Sequence, residues 1–318
     1  MSGATTGPFV VVGESLVDVV VIEGADGEER HEALGGSCLN VAVGMSRLDV
    51  PTVLFTQVGE DDYGKALVNH AHGSGVTLAE GSVLPGGTTS TSTARLDEEH
   101  AATYDFEMVW DLPRLELPPD GTGLHVGSLG TAVDPGRWAV FDLARRTAED
   151  ELFVSYDPNV RPFFIEDLEQ AWREVVELAS YSRLVKLSDE DLRTLRPGDD
   201  EEGVCRELLS AERTELVVLT RGSDGAAAFT EGMQVSVPAP ATDVVDTVGA
   251  GDSFMSAMLA LLCRWDVVTA GEGALQALAD SRVELLLRGA VRAAALTCSR
   301  RGADPPTTQE LPPSWPAE

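Results

Sequence analysis

The sequence predicts an α/β protein: a mostly parallel sheet with helices on both faces, and a second, smaller β-sheet lying over one edge as a lid. Three observations carry that expectation. Short apolar runs alternate with longer segments of helical periodicity over most of the 318 residues, and strands alternating with helices build parallel sheets covered on both sides. The apolar runs are near-continuous, as in strands buried on both faces. Two polar, β-prone stretches, approximately within residues 17–33 and 88–107, break the alternation and read as hairpins.

The first strand is PFVVVG, Pro8 to Gly13, an apolar run ended by glycine. DVVVIEG and ERHEALGG then flank an ADGE turn. After GGSCLN a helix is expected, with Val41, Val43, Gly44, Arg47 and Leu48 on one face. PTVLFTQVG is a strand, and DDYGKALVNHAHGSG a helix capped by Asp61 or Asp62. TTSTSTARLDEEHAATYDFEM is the second hairpin, turning at DEEH and offering few apolar gate residues. Strands follow at Gly123 to Val126, Glu151 to Tyr156, Arg183 to Leu187, Glu215 to Leu219, Ala226 to Thr230 and Gln234 to Val237. Helices are expected at Gly136 to Glu149, Glu166 to Ser180 and within Asp199 to Ala211. A long apolar helix runs on from DTVGAGDSF to about Leu262, and further helices occupy Leu275 to Arg300. The tail, DPPTTQELPPSWPAE, is proline-rich and expected to be irregular.

Composition narrows the function classes. With 43% hydrophobic and 24% charged residues the chain has the make-up of a folded protein. Lys plus Arg is 23 against 53 for Asp plus Glu, a net charge of −30. That field repels nucleic acid and anionic membranes, so an anionic ligand needs a local site. Only two lysines occur, Lys65 and Lys186. The four cysteines, Cys38, Cys205, Cys263 and Cys298, are far apart without a CxxC pair, which argues against zinc and against a disulfide scaffold. The N-terminus lacks a basic region before an apolar run, and no run reaches membrane-span length. A cytoplasmic protein is expected.

DTVGAGDSF, Asp246 to Phe254, carries the chemistry. The following helix presents Phe254, Met255, Met258, Leu259 and Leu262 to the core, so its N-terminus falls near Asp252. Free N–H groups and a positive partial charge gather there. Gly249, Ala250 and Gly251 leave those groups open, which makes a nest for an anion, a phosphate above all. The alternative is a tight turn with Asp252 as N-cap. Asp252 favours the nest, because a carboxylate beside an anion hole makes sense as the base that takes a proton from a hydroxyl attacking phosphorus.

DTVGAGDSF resembles the C-terminal signature of the ribokinase-like, PfkB-type carbohydrate kinases, and GGSCLNVAVGMSRLDVPTVLFTQVGEDDYG resembles their N-terminal one. The order of GESLVD, GGxxxN, DPNVR, KLSDEDL, TRGSDGA, GAGD and CSRRGAD also agrees, over nearly the whole chain. The resemblance implies a single kinase domain over 1–318, with a three-layer α/β/α core and the small lid. It implies ATP and Mg²⁺, and a sugar that receives the γ-phosphoryl group.

Carried over residue by residue, the resemblance makes Asp252 the base and Gly249, Ala250 and Gly251 the anion hole. Asp18 binds sugar hydroxyls, and Gly35, Gly36 and Asn40 form the sugar floor. Asp18 otherwise faces water at a strand start, and Asn40 otherwise caps a helix. YDPNVRP is similar to fructokinases and 2-keto-3-deoxygluconate kinases. It brings Asn159 to the substrate and Arg161 to a phosphate or carboxylate, or else pairs Arg161 with Asp157. Thr220, Gly222 and Gly225 approach ATP, or only turn the chain. Lys186 matches a lysine of related fructokinases that reaches phosphate.

Asp246, the Val248 carbonyl and Gly302 match the potassium site of many relatives, or Asp246 only caps its loop. KLSDEDL departs from the family pattern: Ser188 replaces Asn and Asp191 replaces Glu, both shorter, which changes the reach toward Mg²⁺. Val291 and Arg292 stand where an adenine-pocket Asn is common. GESLVD, HVGSLG and TCSRRGAD look most like fructokinases, so fructose is the first substrate expected. 2-Keto-3-deoxygluconate and ribose are alternatives, and a catalytically silent sugar sensor is the alternative outside the enzymes. Lid sheets pair between subunits in some relatives, which implies a homodimer.

Overall fold

The computed structural model describes residues 7–24, 27–96 and 102–317. Of the two expected hairpin turns, DEEH and the first half of ADGE lie outside the described residues. The first half of the chain forms β1 (Phe9–Val12), β2 (Leu16–Gly24), β3 (Gly27–Gly35), α1 (Ser37–Arg47), β4 (Thr52–Phe55), β5 (Val58–Gly59), α2 (Asp62–Gly73), β6 (Thr77–Leu78), β7 (Val83–Leu84), β8 (Thr91–Leu96) and β9 (Ala102–Glu107). The second half forms β10 (Gly123–Gly127), α3 (Arg137–Glu149), β11 (Phe153–Asp157), α4 (Leu168–Tyr181), β12 (Leu184–Ser188), α5 (Asp189–Leu195), α6 (Glu201–Leu209), β13 (Leu216–Thr220), β14 (Ala226–Phe229), β15 (Gln234–Val237), α7 (Ala250–Arg264) and α8 (Asp280–Cys298).

The main sheet runs β15-β14-β13-β12-β11-β10-β1-β4-β6, parallel except for β14 and β15. Strand alternation divides the core into two layers. Phe9 and Val11 face a cluster built with α1, α7 and α8, while Val10 and Val12 face one built with α3, α4 and α6. The chain runs outward from β1 through β4 to β6, then returns to β10 on the other side. Strand order thus reverses between β1 and β10, and in open α/β sheets the ligand crevice lies beyond the strand ends at such a point.

β2, β3, β8 and β9 form the separate four-stranded sheet, in the order β3-β2-β8-β9. Its inner pair, β2 and β8, is parallel and the two outer pairs are antiparallel.

One local detail differs from the sequence reading and a second adds to it. SDED forms a helix, α5, because Ser188 caps it and Asp191 bonds back to the Ser188 amide in a capping box. The tail has no regular element but is pinned: Trp315 is buried and its indole donates to the Gly289 carbonyl at 3.0 Å. The four cysteines are free thiols. Among the described residues no helix is long and apolar enough to cross a membrane.

Candidate active site

The sequence folds GAGD as a left-handed step followed by a helix. Gly249 has φ +74°, and a Cβ there would lie 2.5 Å from that of Ala303, so the CSRRGAD element packs directly on the motif. Ala250, Gly251 and Asp252 make the first turn of α7, whose N–H groups have no intrahelical carbonyl to bond. Asp252 is buried, and α1 holds both of its oxygens: Ser37 Oγ donates to Oδ1 at 2.6 Å and Asn40 Nδ2 to Oδ2 at 2.8 Å. Each oxygen keeps a lone pair for one further donor.

Beside this carboxylate lies the interior of β12 and the end of β11. Lys186 Nζ donates to Asp157 Oδ2 at 2.8 Å, and both side chains are almost wholly buried. A Cβ on Gly251 would stand 3.2 Å from the same Nζ, so the glycine keeps the amine next to the helix start. Burial pushes Asp157 up to about 6 against the pull of Lys186. Burial also opposes the charge on Lys186, yet Asp157, Asp191 and Asp252 outweigh it and raise its pKa above the ordinary value. Both directions leave the pair ionised at neutral pH. His125, buried and near Lys186, is pushed down to about 3, first by burial and then by the lysine charge, and is neutral.

Across the crevice, Asp18 sits in β2 opposite Ala33 and Ser92. A Cβ on Gly35 would meet its Oδ2 at 2.7 Å, so the glycine makes room for the carboxylate. Burial raises the Asp18 pKa, while a bond from Ser92 and the charge of Arg161 work against that. Arg161 Nη1 donates to Asn159 Oδ1 at 2.6 Å, and the Asn159 amide donates to Asp157 Oδ1 at 3.2 Å. Hydrogen bonds link Asp157, Asn159 and Arg161, and Arg161 bonds Asn159 rather than Asp157; Asp18 feels the Arg161 charge without bonding to it.

The remaining expected residues are placed as follows. Asp191 is buried: Oδ2 accepts from the Ser188 amide and hydroxyl, each at 2.7 Å, and Oδ1 from the Val160 amide at 2.7 Å. Thr220 ends β13 in register with Ser188. Gly222 and Gly225 bound the next turn; a Cβ on Gly225 would lie 2.0 Å from the Val237 carbonyl oxygen, while one on Gly222 would meet open space. Among the described residues neither glycine hydrogen-bonds the acidic cluster; Gly225 serves close packing. Asp246 Oδ2 accepts from the Gly302 amide at 2.8 Å and Oδ1 from the Val248 amide at 3.1 Å, so the three residues meet. Those bonds hold the Asp246 carboxyl below its usual range. Among the described residues no group of three His, Cys, Asp or Glu side chains is placed to hold a metal ion.

Three features escape sequence reading. Glu14 is buried and accepts from the Ser37 amide at 2.9 Å and the Gly130 amide at 3.0 Å. Ser37 itself binds Asp252. The small sheet also has the apolar contact that its composition hides: Phe106 of β9 meets Phe163 and Phe164, beyond DPNVR, with ring centroids 4.7 and 5.1 Å apart. Only the acid that follows an apolar strand directly, at Glu14, left a sequence signal.

Comparisons with known proteins bear on the family and the fold. A family model described as pfkB family carbohydrate kinase matches residues 9–310. A fructokinase of Rhizobium leguminosarum bv. trifolii is 31% identical over 258 residues, covering 79% of this chain and 78% of the relative. A fructokinase of Klebsiella pneumoniae is 30% identical, with 80% and 84% covered. Among solved structures, the fructokinase of Xylella fastidiosa with bound ATP superposes with a TM-score of 0.80 at 22% identity, covering 93% of each chain. A double-mutant fructokinase of Vibrio cholerae O395, in its fructose, ADP and potassium ion bound form, gives 0.72 at 24% identity, with 93% and 94% covered.

Proposed function

The chain belongs to the pfkB family of carbohydrate kinases, and from that premise we propose that it is an ATP-dependent fructokinase acting in the cytoplasm. The observation that carries the reading is the Asp252 carboxylate, fixed by Ser37 and Asn40 beside the open first turn of α7. In this reading Asp252 accepts the proton of a primary hydroxyl of the sugar as that oxygen attacks the γ-phosphorus and ADP leaves. A general base so placed contributes roughly 10²- to 10⁴-fold. The N–H groups at Gly249 and Gly251 meet the charge that develops on the transferred group, joined by Ala250 once its amide leaves the Thr247 carbonyl, to which it donates at 3.2 Å in this structure. Asp18, with Gly35 and Gly36 behind it, accepts hydrogen bonds from sugar hydroxyls; Asn40, Asn159 and Arg161 complete that wall. Lys186 faces the phosphates, and Ser188, Thr220, Gly222 and Gly225 line the nucleotide's path.

Fructose is favoured over other sugars by the relatives named fructokinase and by the relative solved with fructose. One ammonium against Asp157, Asp191 and Asp252 leaves the crevice negative, which suits a nucleotide arriving with its own divalent cation. Mg²⁺ on the phosphates supplies charge neutralisation there. Among the described residues no three acidic or imidazole side chains form a direct cage for it: Asp191 Oδ2 is filled by the Ser188 amide and hydroxyl, and Oδ1, which accepts the Val160 amide, keeps one lone pair. Potassium at Asp246, Val248 and Gly302 belongs to the same reading, as does a homodimer through the small sheets, which a gel-filtration mass of one chain would refute.

The test is ADP release with Mg-ATP over a panel of sugars, in K⁺ and in a large organic cation, with Asp252→Asn as control. Release with fructose above ribose and 2-keto-3-deoxygluconate, lost in the variant by at least about 10²-fold, is expected. Binding of sugar without ADP release would make the chain a sensor. Equal rates in both cations would remove potassium from the reading.

A further inference from the structure

The link between β1 and β2 holds a carboxyl group that the reaction as derived does not use. Glu14 is 3% exposed and has no cation bonded to it among the described residues. Its Oε1 accepts from the Ser37 amide and its Oε2 from the Gly130 amide. Three segments therefore converge on one side chain: the root of the small sheet, the N-terminus of α1, and the turn after β10 across the point where strand order reverses. Ser37 then donates its own hydroxyl to Asp252 Oδ1. A single residue separates Glu14 from the base.

We propose that Glu14 is a positioning residue for phosphoryl transfer: through Ser37 it fixes the direction of the Asp252 carboxylate, and it ties that alignment to the root of the small sheet. The inference rests on the kinase reading above. The chemistry of the contact supports it. An ionised carboxylate accepts with both oxygens, so it satisfies both amides at once. A protonated acid or a primary amide turns one donor toward an N–H and loses that bond. The N-terminus of α1 favours the charged form. Burial opposes it and pushes Glu14 up to about 7. The competent form is the carboxylate, so alignment weakens as pH falls through that value. The titratable group beside it is Cys38 on α1, kept protonated mainly by burial, which also feels Asp252 on α7 and Asp157 at the end of β11. The turn after β10 contributes only the Ser128 hydroxyl. Asp157 titrates nearby, so it is the control.

The experiment measures kcat and KM for fructose across the neutral pH range in the wild type, E14Q, D157N, S37A and E14Q/S37A. The E14Q variant is expected to lose on the order of 10–10² in kcat, the size of a small misplacement of a reacting group, with KM near wild type. The wild type and D157N should show kcat falling as pH drops through about 7, and E14Q should lack that limb. The double variant should be no slower than the slower single one, because both act through one contact. A wild-type limb and kcat in E14Q, or losses that multiply in the double variant, overturn the proposal. Should E14Q not fold, as read by its thermal transition, E14D keeps the charge and shortens the reach: a lower kcat with the limb retained supports the proposal, and an unchanged kcat overturns it. A wild type without turnover overturns the kinase reading and this inference with it. A wild type that turns over, matched by E14Q, overturns the inference alone.

Discussion

Two buried ion pairs stand along the same strand, one at its entry and one in its interior, and they are built differently. At the entry to β12, Arg183 Nε bonds Glu215 Oε1 at 2.5 Å. Glu215 also accepts the amides of Gly273, Leu275 and Gln276. Its acceptor capacity is filled from three directions, and the guanidinium lies over the Phe153 ring, 5.3 Å from the centroid. Inside β12, Lys186 faces Asp157, Asp191 and Asp252 with one hydrogen bond, to Asp157. Asp157 adds only the Asn159 amide. The protein itself fills the carboxylate of the first pair, while Arg183 Nη1 is buried without a hydrogen-bond partner. The second keeps bonding capacity in hand, at the edge of the sheet where ligands bind. Burial alone does not separate the two pairs; the number of partners on the carboxylate does.

Removing the cations one at a time tests that contrast. Lys186→Met should cut kcat on the order of 10²-fold, the size seen when one donor to a transferring group is lost. Its unfolding free energy should change less, because Asp157, already raised to about 6, takes up a proton readily. Arg183→Met should do the reverse. Stripping one partner from a buried pair costs about 3–5 kcal/mol, read by urea unfolding, while KM for the sugar stays put. If both variants lose stability equally and turnover equally, the distinction between the two pairs is wrong.

A smaller effect comes from His125. Its folded pKa, about 3, lies below the unfolded value of about 6.5. The folded form therefore binds fewer protons below that value, and stability present above it is lost as pH falls. His125→Gln should flatten the acid side of the stability profile by up to about 1.4 kcal/mol per pH unit. An unchanged slope would place the acid sensitivity elsewhere. Asp157 and Glu14 work in the opposite sense, since their raised values favour folding at lower pH and lose that contribution as pH rises through about 6 and 7. The smallest effect expected is from Gly35→Ala. The new Cβ meets Asp18 Oδ2, so KM for the sugar should rise severalfold with kcat little changed; a shift in kcat alone would detach Asp18 from binding.

The parallel strands and the anion-binding helix start are legible in the sequence because each is local. PFVVVG is apolar throughout, and GAGD needs only its own small residues. Asp18, Asn40, Asp157, Lys186 and Asp252 could be named from motifs, but not their mutual bonds, which span as many as 212 residues between Asn40 and Asp252. Ser37 looks like an ordinary helix-start residue, and Glu14 signals only its place after an apolar strand, until the fold brings Asp252 and Gly130 against them. The Phe106 contact stayed hidden because its partners lie in a different motif, after Arg161. The α5 capping box is hidden because Ser188 and Asp191 stand where the family pattern has metal neighbours.

Of the chain's two lysines, Lys65 is open on the surface of α2, paired with Asp62, and Lys186 is enclosed. In a protein whose other side-chain cations are arginines, amine-selective covalent labelling becomes a direct counter of site opening. The native chain should take one side-chain label, at Lys65, and a second label should appear only when the crevice around Asp157 is breached. Nucleotide and sugar would then be visible as protection at a single, countable atom.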